Sequence, residues 1–262
     1  MKPFQVSLSI LAGLLASAPA FAQSEYSMGA GLRYVRMTEM DASGRQLVRE
    51  HGWLPGVGLN ATRRYQAWTF GLSGEIYGAN LDYDGRLQNG VPFTTDTATT
   101  QGRIAAEVTR QLTENTALVG GLEYDGWRRH VLGRDGIAGV RENYSSWRLL
   151  AGAASSAWHT SSTDFRLKGL LVLAGPERLH AHFENQLYDD AVLNTKSAQG
   201  LRLDLTGYPR AFPRFSFGIN VDWMRIRRSN DEVLRKDGLP TGTVTQPEHE
   251  RSAIGFHAGY HF

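Results

Sequence analysis

No cysteine occurs in the 262 residues, so neither a disulfide framework nor thiol chemistry is available. The formal charge of +2 gives no electrostatic footprint for a nucleic-acid partner. Beyond the first 22 residues, nothing approaches the run of about 20 apolar residues that a membrane-spanning helix needs. Lysine is scarce: the 28 basic residues divide into 24 Arg and 4 Lys. Arg pairs with carboxylates and phosphates in planar, bidentate geometry, which suits a charged interior or a phosphorylated surface; genomic base composition accounts for the same bias. Soluble-enzyme signatures are missing as well: there is no G-x-S-x-G elbow, P-loop or H-E-x-x-H, and no cofactor motif. Gly56-Val-Gly58-Leu-Asn-Ala61 matches G-x-G-x-x-A, but it alternates as a strand and opens no helix.

What is present begins with a leader. A basic start at Lys2, an apolar stretch from Val6 to Leu15 and Ala20-Phe21-Ala22 before Gln23 form a three-part secretory signal. The reading divides the chain into residues 1–22, removed near Ala22, and a single domain over 23–262 of about 240 residues.

That domain is organised by a period of two. Ile254, Phe256, Ala258, Tyr260 and Phe262 share one parity, and Gly255, His257, Gly259 and His261 share the other. Alternate side chains of a strand point to opposite faces, so one face is apolar and the other small or polar. The same alternation recurs over 26–34, 56–62, 68–77, 103–109, 118–125, 147–153, 165–173, 201–206 and 215–223. Ten strands are therefore expected. Short connections follow the second, fourth, sixth and eighth. Long polar ones follow the odd strands, as in 84–97, 177–196 and 229–248. Short turns alternating with long loops mark transmembrane barrels, and an even strand number closes the sheet without an edge in lipid. Aromatic residues fall near strand ends as two girdles, Tyr26, Trp68, Trp158, Phe215, Tyr260 and Phe262 on the short-turn side and Tyr34, Trp53, Tyr124, Trp147 and Trp223 on the other.

The closing strand, ending at Tyr260 and Phe262, resembles that of small bacterial outer-membrane β-barrels. The resemblance implies an all-β, antiparallel up-and-down barrel in the outer membrane. Its implied partners are membrane lipid, lipopolysaccharide and, during insertion, the barrel-assembly machinery.

If the apolar parity faces lipid, the other fills the lumen. It carries Arg33, Arg103, Arg148, Arg166, Lys168, Arg202 and Arg251, with Glu75, Glu107, Glu123, Asp125, Asp204 and Asp222. Seven basic and six acidic groups nearly cancel, and confined charges are costly unless paired, so a paired network is expected. Ten strands leave a narrow lumen that such side chains can plug. His257 and His261 share this face but stand about 13 Å apart along the strand, too far to chelate one ion.

One constellation points to chemistry. Asp82 and Asp84 lie at the far end of the third strand, and His180 and His182 at the start of the long segment after the seventh. Each i, i+2 pair shares a face and is expected to point inward over the barrel mouth, where carboxylates facing an imidazole can activate water. This layout resembles the omptins, ten-stranded outer-membrane proteases. The resemblance assigns Asp82 and Asp84 to the carboxylate pair and His182 to the histidine. The acidic partner's position holds His180 instead. His180 and His182 with Asp189 or Asp190 form a two-histidine metal candidate; two loop ligands are too few for a metal to be assigned. The sequence thus favours a non-enzymatic barrel with a structural, surface-binding or narrow-pore role, and proteolysis at Asp82, Asp84 and His182 is the alternative.

Overall fold

A computed structural model describes residues 23–86 and 90–262; the expected leader and its cleavage near Ala22 lie outside the described residues. The strands are β1 (Gln23–Met40), β2 (Gln46–Tyr65), β3 (Trp68–Arg86), β4 (Pro92–Gln111), β5 (Thr116–Val131), β6 (Val140–His159), β7 (Thr163–Ala174), β8 (Arg178–Phe183) and β9 (Ala191–Asn194), then β10 (Ala198–Pro209), β11 (Phe215–Ile226), β12 (Glu232–Lys236), β13 (Leu239–Val244) and β14 (Glu248–His261). Ten of them close a ring of antiparallel neighbours, β1-β2-β3-β4-β5-β6-β7-β10-β11-β14 and back to β1. Each of the ten expected segments falls within one of these strands, the closing one up to His261. The chain is a closed, ten-stranded transmembrane β-barrel.

Parity assigns the outer wall. Leu59, Leu149, Leu171 and Phe256 are half to two-thirds exposed, and Met28, Leu32, Val57, Ile104, Leu122 and Leu203 join them. So wide an apolar belt would make a water-soluble monomer aggregate, and against lipid it is the stabilising face. The girdle aromatics pair across strands, Tyr34 with Trp53 at 5.3 Å and Tyr124 with Trp147 at 5.1 Å.

Several connections expected to be long loops are strand instead. β3 continues to Arg86 and β4 begins at Pro92, so most of 84–97 is paired sheet; 177–196 contains β8 and β9, and 229–248 contains β12 and β13. These stretches lie above the lipid and are largely polar outside; inside, β4 keeps Thr97 and Thr99, whereas β8 and β9 turn Leu179, Ala181, Ala191 and Leu193 inward. Thr94, Thr95, Thr97, Thr99 and Thr100 are polar yet β-branched, so they pack on a pleated surface and keep the ladder. β1, β2, β4 and β6 reach 18 to 20 residues, about twice the ~9–11 that cross a bilayer. At the first turn, Asp41 accepts hydrogen bonds from the Ser43 hydroxyl and amide and the Arg45 amide. Those bonds, that of the Ser43 hydroxyl foremost, hold its carboxyl well below the usual carboxylate range.

The wall changes composition with height. Near the short turns β6 pairs with β7 from Arg148 to His159; above, β7 ends at Ala174 and β8 takes its place along Val140–Ser145, with β9 beyond it. The β12–β13 hairpin is a separate sheet, fastened where the Asp189 carboxylate accepts the amides of Asp237 and Gly238 at 3.1 and 2.8 Å.

The inward face is not uniformly polar. Leu150, Leu170, Val172, Met224 and Ile226 form one buried cluster, and Met37, Trp127, Tyr144, Leu179 and Leu193 another higher up. A narrow lumen has to be filled, and apolar side chains fill it without needing partners. The tightest approach is at Gly152, where a Cβ would stand 1.9 Å from the Gly169 carbonyl oxygen. Gly152→Ala is therefore expected to force β6 away from β7 and cost about 1–3 kcal/mol, seen as a lower urea midpoint for unfolding from lipid vesicles.

Candidate functional site

Most of the charged residues of the lumen meet in one lattice at mid-height, with the Lys168–Glu107 pair apart from it. Arg33 on β1 pairs with Glu75 on β3 at 2.8 Å, its guanidinium 4.0 Å from the centre of the Tyr77 ring. Arg103 on β4 reaches Glu75 at 3.5 Å, Asp125 at 3.3 Å and Asp222 at 2.9 Å. Since β4 and β11 are five strands apart in a ring of ten, the Arg103–Asp222 pair spans the whole lumen. Arg202 on β10 joins Asp222 and Glu123, both at 2.7 Å. Arg148 on β6, 2% exposed, joins Asp125 at 2.6 Å and Glu123 at 3.3 Å. Arg251 on β14 grips Glu177 through two hydrogen bonds and lies 4.2 Å from the Trp127 ring centre. Lys168 donates to Glu107 at 3.0 Å.

Such pairs give back little net stability beyond their desolvation cost. What they do is fill: guanidinium and carboxylate groups from opposite walls meet in the middle of the lumen. Of the remaining candidates, Asp204 accepts the Thr206 hydroxyl at 2.7 Å, and Arg166 has no carboxylate within ion-pair distance among the described residues. His261 bonds the Ser216 hydroxyl at 3.0 Å. Tyr260 and Phe262 pack edge to face at 5.2 Å, and the Phe262 amide donates to the Tyr26 carbonyl.

A second charged cluster lies above the first. Arg129, 3% exposed, donates to Glu39, Glu50, Glu142 and the Tyr144 hydroxyl. Thr97 donates to Glu50 at 2.9 Å, and Gln246 to Glu39 at 3.2 Å. Sequence reasoning missed this cluster, along with Glu177 and His249 of the lower one, by treating the outer segments as loops. A signal was available. Arg129 shares the inward parity of Glu123 and Asp125, and Glu39 that of Arg33, so continuing the period of two finds them.

The same rule corrects the orientation expected for the Asp/His constellation. Asp82 and Asp84 share the outward parity of Ile76, whereas Tyr77 and Leu81 are buried inside. Asp84 pairs with Arg49 at 2.8 Å on the outer surface. On β8, Leu179 and Ala181 face inward and His180 and His182 outward; His182 Nδ1 lies 2.6 Å from Asp190 Oδ1. Neither pair points over the mouth, so Asp82 and Asp84 do not face His182 across a groove. Asp189, named with the histidines as a metal ligand, instead fastens the β12–β13 hairpin.

Below the lattice the lumen opens. A cavity of about 370 Å³ is lined by residues including Gly58, Asn60, Gly71, Arg166 and His257. It shares Ser27, Asn60, Thr62, Thr69, Arg166, Tyr208 and His261 with a vestibule of about 690 Å³ at the short-turn mouth. The two chambers meet at these residues, and the ion-paired Arg33, Glu75, Arg103, Arg202 and Asp222 also line the upper one.

No protein-family model matches the chain, and no curated protein is significantly similar to it in sequence. Its fold is similar to that of the outer membrane protease OmpT of Escherichia coli, with a TM-score of 0.55 at 10% identity over 94% of this chain and 98% of that one. The translocator domain of the autotransporter NalP from Neisseria meningitidis matches at 0.48 and 13% identity, over 97% of this chain and 92% of that one. Ail, the attachment invasion locus protein of Yersinia pestis, matches at 0.35 and 12%, over 92% and 99%. At 10% identity the likeness to OmpT is one of fold: this chain is built as an outer-membrane β-barrel.

Proposed function

We propose that this protein is a non-conducting, non-enzymatic scaffold of the bacterial outer membrane, which anchors an extracellular sheet as a structural and surface-binding platform. The observation that carries the reading is the Arg103–Asp222 pair crossing the lumen, within a lattice of mixed sign. A selective pore is better served by a ring of one sign around an open axis. The OmpT-like fold supports the outer membrane as its seat, reached after removal of residues 1–22. Proteolysis at Asp82, Asp84 and His182 is set aside because these side chains stand on the outer surface, away from a shared groove.

The outer face supports lipopolysaccharide as a partner. Arg128 and Arg178 are exposed on β5 and β8, on the two sides of β6 and a few residues above the Tyr124–Trp147 girdle pair. That is the headgroup level of the bilayer, and guanidinium groups bind phosphate bidentately.

Planar-bilayer recording tests the central claim. The reconstituted barrel is expected to insert without discrete current steps, and reproducible single-channel steps would overturn the reading.

A further inference from the structure

We propose that the two-chambered recess on the short-turn side is a binding site for a carboxylated saccharide. The inference rests on the closed-lumen reading, because a sealed recess retains a solute that an open pore would pass.

Its volume is the first argument. The upper chamber of about 370 Å³ lies within the ~300–1,000 Å³ typical of small-molecule sites. The space comes from inward residues smaller than the backbone requires. At Gly71 a Cβ would meet nothing closer than 3.8 Å, and at Gly58 nothing closer than 3.4 Å. Neither glycine has the left-handed backbone that would explain its choice. Elsewhere this lumen is packed with leucine or bridged by arginine; here it is left hollow.

The lining supplies the chemistry. Where the two chambers join, Asn60, Thr62, Thr69 and Tyr208 make no side-chain hydrogen bond to another described residue. They form a collar of neutral donors and acceptors suited to hydroxyl groups. Arg166 lines both chambers without a carboxylate partner among the described residues, and Arg64 and Arg214 line the lower one. Of the acids lining the two chambers, Asp164 is paired with Arg210 at 2.7 Å, Glu107 with Lys168 at 3.0 Å, and Glu75, Glu123 and Asp222 belong to the ion-paired lattice. Asp204 accepts the Thr206 hydroxyl, and Glu25 lines the lower chamber at an exposed position. The Arg166 guanidinium, with no carboxylate within ion-pair distance among the described residues, is the group that favours an anion, and its planar fork matches a carboxylate. One ligand meets both demands: a hydroxyl-rich ring carrying an acid group.

Calorimetric titration of the folded barrel in detergent, with glucuronate, glucose and acetate as probes, tests this. Glucuronate is expected to bind saturably, and glucose and acetate each about tenfold more weakly or worse, since each offers half of the recognition. Arg166→Gln, at an exposed position, is expected to reduce glucuronate to the level of glucose and leave glucose unchanged. Gly71→Leu should abolish binding by filling the chamber, with heat-modifiable gel mobility confirming that it folds. Absence of saturable glucuronate binding to the folded wild type overturns the proposal, as does binding that both variants leave intact. Acetate binding as tightly as glucuronate overturns the saccharide assignment. Flux of glucuronate into liposomes is read separately and bears on the closed lumen alone.

Discussion

Arg129→Leu is expected to be the most damaging single substitution in the half away from the short turns, because three carboxylates, Glu39 and Glu50 buried and Glu142 partly so, depend on one guanidinium. Glu39, Glu50 and Glu142 each accept from Arg129, and among the described residues no other cation lies within ion-pair distance of them. Removing one partner of a buried pair costs about 3–5 kcal/mol, since the charge left behind is neither paired nor hydrated. Three carboxylates around one cation put this site at the upper end. The loss should be largely local, because the cluster meets the lower lattice only through ring contacts of Trp127 and Tyr144 with Arg251 and His249, with no ion pair between them among the described residues. Amide hydrogen exchange should therefore accelerate in the upper parts of β1, β2, β5 and β6 while the girdle-to-girdle segments keep their protection. Adding Glu50→Gln should restore part of the protection. Unchanged exchange in those upper segments would show that water compensates the carboxylates and that the cluster is not a closed interior.

Arg148→Met should act on the whole barrel but cost less than its equal burial suggests. Its partners are not abandoned: Glu123 retains Arg202 at 2.7 Å, and Asp125 retains Arg103 at 3.3 Å. Methionine also fills most of the vacated volume and adapts to irregular gaps. We expect a loss near the lower end of the same range, about 3 kcal/mol, read as a reduced urea midpoint for unfolding from lipid vesicles. Combining it with Glu123→Gln should cost less than the sum of the two changes, because they share one network. Arg148→Lys should fall in between, since one ammonium cannot replace a fork holding two carboxylates. A loss below about 1 kcal/mol would mean that the lattice closes the lumen without stabilising it.

Much of this architecture was legible in the chain. The period of two in 254–262, repeated nine times, gave strand number, outward face and the side on which the short turns lie. It also held more than was taken from it. Carried six residues on from Ile76, it turns Asp82 outward; carried four on from Asp125, it turns Arg129 inward. The long polar segments differ from the loops expected because polarity was equated with loop, whereas the outer face of a sheet above a membrane meets water and has no reason to be apolar.

The sequence by itself determined which residues face lipid and which face the lumen, because pleat is local: a side chain's direction follows from its neighbours one and two positions away. Only the tertiary structure decided which lumen residues meet. Arg103 and Asp222 are 119 residues apart and touch because ten strands close in one register, with these two on opposite walls. The same closure leaves Arg166 beside a hollow with no carboxylate partner among the described residues, while charges of the same parity higher up are locked together. Register and closure are properties of the whole ring, set by every strand pair at once, and no stretch of the chain carries them alone.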